Sequence, residues 1–245
     1  MFTKKSILKY SVVFIVILCS AFACEDEGYS LSDFRINIAT VIPDGQQSYY
    51  LVLDNGEKLL PASTDVFYSP RENQRVFVNY TLLSDNYNGY DHQIKVNDIW
   101  NILTKPVISL TDQEADNIGN DPIQINEFWI GDDYLNASFS FNYGHVKPHA
   151  INLIQNEIVN SQYNEVLELE FRHNSYNSQY NSLFDGFVCF DLKPFRKENR
   201  DSIPVIIKYR NWDGDQTYEL TYRYNNLNKD GQLRSIPNVS SNEYK

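Results

Sequence analysis

The sequence predicts an all-β chain: a small OB-like Greek-key barrel followed by a β-sandwich, behind a lipoprotein signal peptide. Three observations predict it. The 245 residues include 18 Tyr, 14 Phe and 3 Trp, an aromatic content that favours strands. Short apolar runs, several of them strictly alternating, recur between turn signals along most of the chain. The first twenty-three residues are of a different kind and read as a segment that is removed.

That leader begins with a basic stretch holding Lys4, Lys5 and Lys9. An apolar run from Val12 to Leu18 follows. It is too short to span a bilayer, which needs about 20 residues. Ala21, Phe22, Ala23 and Cys24 then read as a lipobox. Cleavage after residue 23 would leave Cys24 as the acylated first residue and lipid anchor. Residues 24–33 are polar and acidic and read as a tether. Within them Glu25, Asp26 and Glu27 resemble the acidic export signals that send lipoproteins of some bacteria to the outer leaflet.

The barrel is expected over residues 34–107. Phe34, Ile36 and Ile38 alternate with Arg35 and Asn37. Tyr49 to Leu53 is a second run, and Asp54-Asn55-Gly56 then signals a two-residue hairpin. Lys58-Leu59-Leu60 is the return strand. Arg75 to Leu83 alternates with Val76, Val78, Tyr80 and Leu82 on one side, Asp85 to Gly89 reads as a polar loop, and Ile94 to Leu103 resumes the apolar pattern. About five strands in seventy residues is the count of an OB-fold.

Residues 108–121 are acidic, end near Gly119 and Pro122, and read as a linker. The sandwich is expected over 122–225, with runs at 123–130, 134–143, 149–155, 166–173, 184–192, 203–211 and 216–224. Asp213-Gly214 signals a hairpin between the last two, and seven short strands fit a β-sandwich. Residues 226–245 lose the pattern and read as a flexible tail.

Composition narrows the function classes. Removing residues 1–23 takes away three lysines and no acid, which moves the net charge from −11 to −14. Nucleic acid and anionic lipid both need a basic footprint, so neither is an expected partner of the surface. Any membrane affinity is assigned to the lipid on Cys24. Past Cys24 only Cys189 remains, so no intrachain disulfide is available to the mature chain. Its apolar neighbours mark it as a buried, inert thiol.

Candidate chemistry is thin, and each candidate has a plainer reading. Asp132-Asp133 after Gly131 has the residue types of a cation ligand pair, yet Gly-Asp-Asp suits a turn whose side chains cap backbone NH groups. His145 and His149 have helical ligand spacing, but Pro148 and Gly144 argue against a helix. His92 and His173 stand apart from them. Asp85 to Asp91 and Asn211 to Asp215 mimic calcium loops without their spacing. Asp201-Ser202-Ile203 matches a short bacterial O-glycosylation pattern at Ser202. The tyrosines are of the type that forms a stacking face, although most are expected to pack. No catalytic residue, metal site or cofactor is expected.

Leu53 to Pro61, Arg75-Val-Phe-Val-Asn-Tyr80 and Ile94-Lys-Val96 resemble the N-terminal domain of NigD-like lipoproteins. Trp129-Ile-Gly-Asp-Asp-Tyr-Leu-Asn136 and Phe171-Arg-His-Asn174 resemble that family's C-terminal domain. The resemblance covers residues 34–225. It implies an OB-like barrel, then a β-sandwich, behind a lipoprotein signal in gut-type Gram-negative bacteria. Leu60, in place of a bulky aromatic, and Asn177-Ser178-Gln179, in place of a glycine turn, depart from the pattern. The resemblance carries no catalytic or binding residues. The expected role is therefore that of a non-enzymatic, outer-membrane, lipid-anchored protein, displayed at the cell surface, which binds a protein or envelope component. A bacteriocin immunity-type protein and a glycan-binding surface lipoprotein are the alternatives.

Overall fold

A computed structural model describes residues 30, 33–45, 47–109, 118–144, 147–155, 165–178, 182–224 and 244. The leader, Cys24, the Glu25-Asp26-Glu27 triplet and His145 lie outside them, as do most of the expected linker and tail.

Fourteen strands account for the described residues, with one 3-10 turn at Lys193–Phe195. Five close a barrel: β1 (Phe34–Pro43), β2 (Tyr49–Leu53), β3 (Lys58–Thr64), β4 (Arg75–Tyr87) and β5 (Tyr90–Asn101). Their order around the barrel is β1-β2-β3-β5-β4, with β3 and β5 parallel. This is the OB arrangement the strand count predicts. Val76, Val78, Tyr80 and Leu82 of β4 do share the interior, with Ala39, Val41, Leu51, Leu59, Ile94 and Val96.

The other strands are β6 (Leu103–Pro106), β7 (Ile108–Ser109), β8 (Gln124–Gly131), β9 (Tyr134–Tyr143), β10 (Ala150–Gln155), β11 (Leu167–Asn174), β12 (Ser182–Asp191), β13 (Ser202–Asn211) and β14 (Gly214–Arg223). They form a four-stranded sheet, β6-β12-β9-β8, and a five-stranded sheet, β14-β13-β11-β10-β7. The two sheets enclose Phe128, Phe139, Phe141, Phe171, Phe190, Leu153, Leu169 and Ile207. β11 shows how sequence sets the face. Leu167, Leu169, Phe171 and His173 are buried, and the residues between them are only half-buried, as a period of two requires.

Several local expectations need correction. The barrel does not run to residue 107: Leu103–Pro106 pairs parallel with β12, and Ile108–Ser109 pairs parallel with β10. The chain therefore enters the four-stranded sheet before the expected linker begins, and the five-stranded sheet at the linker's first two residues. In β1 the alternation sends Ile38 toward the sandwich with Phe77, while Ala39 and Val41 fill the barrel. The Asp54-Asn55-Gly56 turn is longer than two residues. Leu53 accepts from Gly56 and donates to Glu57, and only Gly56 has positive φ, at 83°. The polar loop at 85–89 is mostly strand, since Tyr87 pairs with Tyr90 around Asn88-Gly89. Both turn residues have positive φ, 48° and 85°, which is the two-residue hairpin geometry. Asp213-Gly214 does mark a hairpin, closed by the Asn211–Gly214 pair. In the expected tail, Tyr244 is buried: its ring packs on Phe139 and Phe141, and its hydroxyl bonds both backbone groups of Phe187.

Candidate functional site

Four polar groupings bring the titratable side chains together. The first joins barrel to sandwich. Arg75 opens β4 and is wholly buried. Its Nη1 lies 2.7 Å from Asp54 Oδ1, off the line of an N–H bond, and donates to Thr40 Oγ1 at 3.0 Å. Its Nη2 reaches Asn136 Oδ1 at 3.5 Å, and its guanidinium stands 4.7 Å from the centre of the Tyr134 ring. Burial opposes the Arg75 charge, but its neighbours, the Asp54 carboxylate foremost, together outweigh burial and raise the pKa. Cys189 lies in the same cluster, buried and free, and donates to Asn136 Oδ1. Burial pushes its thiol up to about 12, so it is the inert cysteine the sequence predicts. A Cβ on Gly131 would overlap the Asp54 carboxylate, so only glycine lets the two turns close on each other. Around this pair, Ile38, Phe77 and Ile102 of the barrel side pack on Tyr134 and Phe187, with the Phe77 and Phe187 rings 5.0 Å apart.

The second grouping contains the Asp132-Asp133 turn. Asp133 does not cap backbone NH groups as expected. Its carboxylate instead accepts from Arg196 Nε at 2.7 Å and from the Tyr222 hydroxyl, pinning the 3-10 turn and β14 to the turn. Asp132 has a raised pKa, from burial and then from the neighbouring Asp133.

The third is the pair His149 and His173. Nδ1 of His149 lies 2.9 Å from Nε2 of His173, whose Nδ1 donates to the Pro122 carbonyl at 3.1 Å. Burial lowers both pKa values, that of His149 to about 4. The pair is therefore neutral at pH 7. His149 Nε2 has no hydrogen-bond partner among the described residues. Asp121 stands nearby, with its pKa lowered. Burial alone would raise it, and hydrogen bonds from the Ser175 hydroxyl and backbone outweigh that. Among the described residues no three His, Cys, Asp or Glu side chains are arranged to hold a metal ion.

The fourth is exposed, at the tip of the β4–β5 hairpin. His92 Nδ1 lies 2.5 Å from Asp85 Oδ1, and its Nε2 lies 3.9 Å from Glu57 Oε2. Asp91 accepts from the Lys58 backbone. Tyr90 packs edge-on against Tyr50 at 5.5 Å and faces Tyr87, which is 43% exposed. The calcium-loop mimic at 85–91 is thus a hairpin tip. The mimic at 211–215 is a turn in which Asn211 accepts from the Asp213 NH. A second exposed aromatic, Phe67, sits in the β3–β4 loop beside the Tyr49–Tyr68 ring pair.

The outer face of the five-stranded sheet carries one shallow cavity of about 270 Å³, lined in part by Glu170, Arg172, Lys208, Tyr209 and Asp215. Arg172 is paired with Glu170, and Lys208 with Glu168, so the cavity charges are balanced within the sheet. Ser202 begins β13 and is half-buried, opposite Arg223. Among the described residues no helix is long and apolar enough to cross a membrane.

The model of the NigD-like N-terminal OB domain matches residues 38–102, and that of the NigD-like C-terminal beta sandwich domain matches 106–222. The chain belongs to the NigD-like family. Solved relatives agree. A protein from Parabacteroides distasonis described as toxin-related is 39% identical, over 79% of this chain and 96% of that one, with a TM-score of 0.71. A protein of unknown function from Bacteroides vulgatus is 30% identical over 87% and 100%, with a TM-score of 0.71. A NigD-like immunity protein from Bacteroides caccae shares the fold at 19% identity, over 80% and 99%, with a TM-score of 0.61. No curated protein sequence matches the chain. The 102/106 division between the two NigD-like matches falls where β5 gives way to β6.

Sequence reasoning missed the Arg75 cluster and the histidine pair. The signal for the first was a lone arginine heading an otherwise apolar strand, and an aspartate in a turn read only for its turn chemistry.

Proposed function

We propose that this NigD-like chain is a non-enzymatic lipoprotein of the outer membrane, anchored through Cys24 and displayed at the cell surface, where it binds a protein or another envelope component. The observation that carries the reading is the division of its polar groups. Arg75, Asp54, Asp133, Arg196, His149 and His173 are tied into pairs that hold the fold. The hairpin tip instead presents tyrosines and carboxylates to solvent. A rigid β scaffold that displays a few loop residues is the usual design of a binding module. The leader and the acidic triplet support the anchor and its outward sorting.

Immunity to a toxin is a second reading, favoured by the description of the Bacteroides caccae structure as an immunity protein. Site-directed photo-crosslinking of the full chain on intact cells tests the main reading. The parent should fractionate with outer membranes and cross-link to a discrete envelope partner, and Cys24→Ser should appear in the soluble fraction. A parent chain found soluble, or one that cross-links to nothing, would contradict it. Protection of a sensitive strain from one toxin would select the immunity reading.

A further inference from the structure

We infer that the tip of the β4–β5 hairpin, with the adjoining β2–β3 turn, is a docking surface for a cationic segment of a protein partner. The inference rests on the binding-module reading and says where and by what chemistry binding occurs. Three features meet here. Tyr50 and Tyr90 are in edge contact, and Tyr87 is the direct cross-strand partner of Tyr90. Cross-strand partners lie on one face, so the tip presents an aromatic row. Asp85, two residues from Tyr87, and His92, two residues from Tyr90, lie on that face, with His92 held between Asp85 and Glu57, and Asp91 flanks the tip through its bond to the Lys58 backbone. Among the described residues of the tip and the adjoining 54–58 segment, Lys58 is the basic residue beside Glu57, Asp85 and Asp91.

Tyrosine faces attract guanidinium and ammonium groups through their ring quadrupoles. Nearby carboxylates add charge-assisted hydrogen bonds, bidentate for arginine. The net negative charge, −11 for the full sequence and −14 without residues 1–23, extends the same attraction to long range and speeds encounter with a basic partner. An anionic polymer would be repelled by the carboxylates and by the net negative charge. The tip is also well built for presentation. Asn88-Gly89 closes it in a two-residue turn with positive φ at both positions, so it projects without a floppy loop. The bond of Asp91 to the Lys58 backbone braces it against the barrel.

The test uses the purified mature chain and a fluorescein-labelled peptide of about ten residues, alternating arginine and serine, read by anisotropy at low and physiological salt. The parent should bind. A tip variant, Glu57→Gln with Asp85→Asn and Asp91→Asn, should bind ~10-fold more weakly. A control that removes the same charge from exposed sandwich residues, Asp213→Asn with Asp215→Asn and Glu219→Gln, should change binding less than ~2-fold. Tyr87→Ala should weaken binding ~3-fold with no change in charge. Equal losses in the tip and control variants would overturn the inference, because binding would then be general attraction to an acidic surface. So would a parent that ignores the peptide, or one that takes cellohexaose at the tip in its place, which would make the surface a glycan site. If tip variants left partner cross-linking on cells intact, this surface would be discarded and the binding-module reading kept. Loss of cross-linking by the parent itself would remove that reading.

Discussion

The Arg75 cluster and the hairpin tip hold the same kinds of side chain and do opposite work. Both set carboxylates beside a cationic or imidazole group and tyrosine rings. At the junction Arg75 and Asp54 are shut away between barrel and sandwich. At the tip Asp85, Glu57 and Tyr87 face water. Burial decides the outcome. A charge in low dielectric must have its partner or cost several kcal/mol. An exposed pair is worth between 0 and about 1 kcal/mol and is available to another molecule. The lesson is that residue type alone did not separate structural from functional charges here, whereas their position relative to the two cores does.

The largest expected effect breaks the buried side. Arg75→Met leaves Asp54 without its cation and should cost about 3–5 kcal/mol, read from the urea midpoint. Adding Asp54→Leu should recover much of that loss, since the uncompensated charge is then gone. Gly131→Ala should cost about 1–3 kcal/mol, because its methyl must displace the Asp54 carboxylate.

A pH series sharpens the comparison at a third place. His149 and His173 are neutral when folded because burial lowers their pKa values, to about 4 for His149. The unfolded chain titrates near an ordinary imidazole value, about 6.5. Protons therefore bind the unfolded state more strongly between these values. Stability should be full above pH 6.5 and fall progressively as the pH drops toward about 4. His149→Phe should flatten part of that slope when urea midpoints are compared. The smallest effect belongs to the tip. Asp85→Asn and Glu57→Gln should each shift stability by less than about 0.5 kcal/mol.

Much of the fold was legible because its signals are local. The run 134–143 is β9 residue for residue, and the alternation of Leu167, Leu169 and Phe171 sets the buried face of β11. The two Asn-Gly turns show the limit. The local pattern predicts the tight hairpin at Asn55-Gly56 and a loop at Asn88-Gly89, yet positive φ at both residues belongs to the second. Asp54 is drawn into the junction by Arg75, a tertiary demand that local turn chemistry does not contain. Long-range pairs were not legible at all. Arg75 meets Asn136 across 61 positions, His149 meets His173 across 24, and Tyr244 reaches Phe187 across 57. No spacing rule links such residues, because only the closing of barrel and sandwich brings them together. Nothing in the sequence separates Tyr50, Tyr87 and Tyr90 at the tip from the tyrosines that pack.

Peptide titration of the ¹⁵N-labelled chain, followed by amide chemical shifts, tests most directly the claim that buried polar groups hold this molecule and the exposed tip engages a partner. The account predicts saturable shifts confined to the amides of the 85–92 hairpin, Tyr50 and Glu57, with the junction around Arg75, Asp54 and Asn136 unmoved. Shifts centred on the sandwich sheet around Arg172 and Lys208, or spread evenly over the acidic surface, would contradict it.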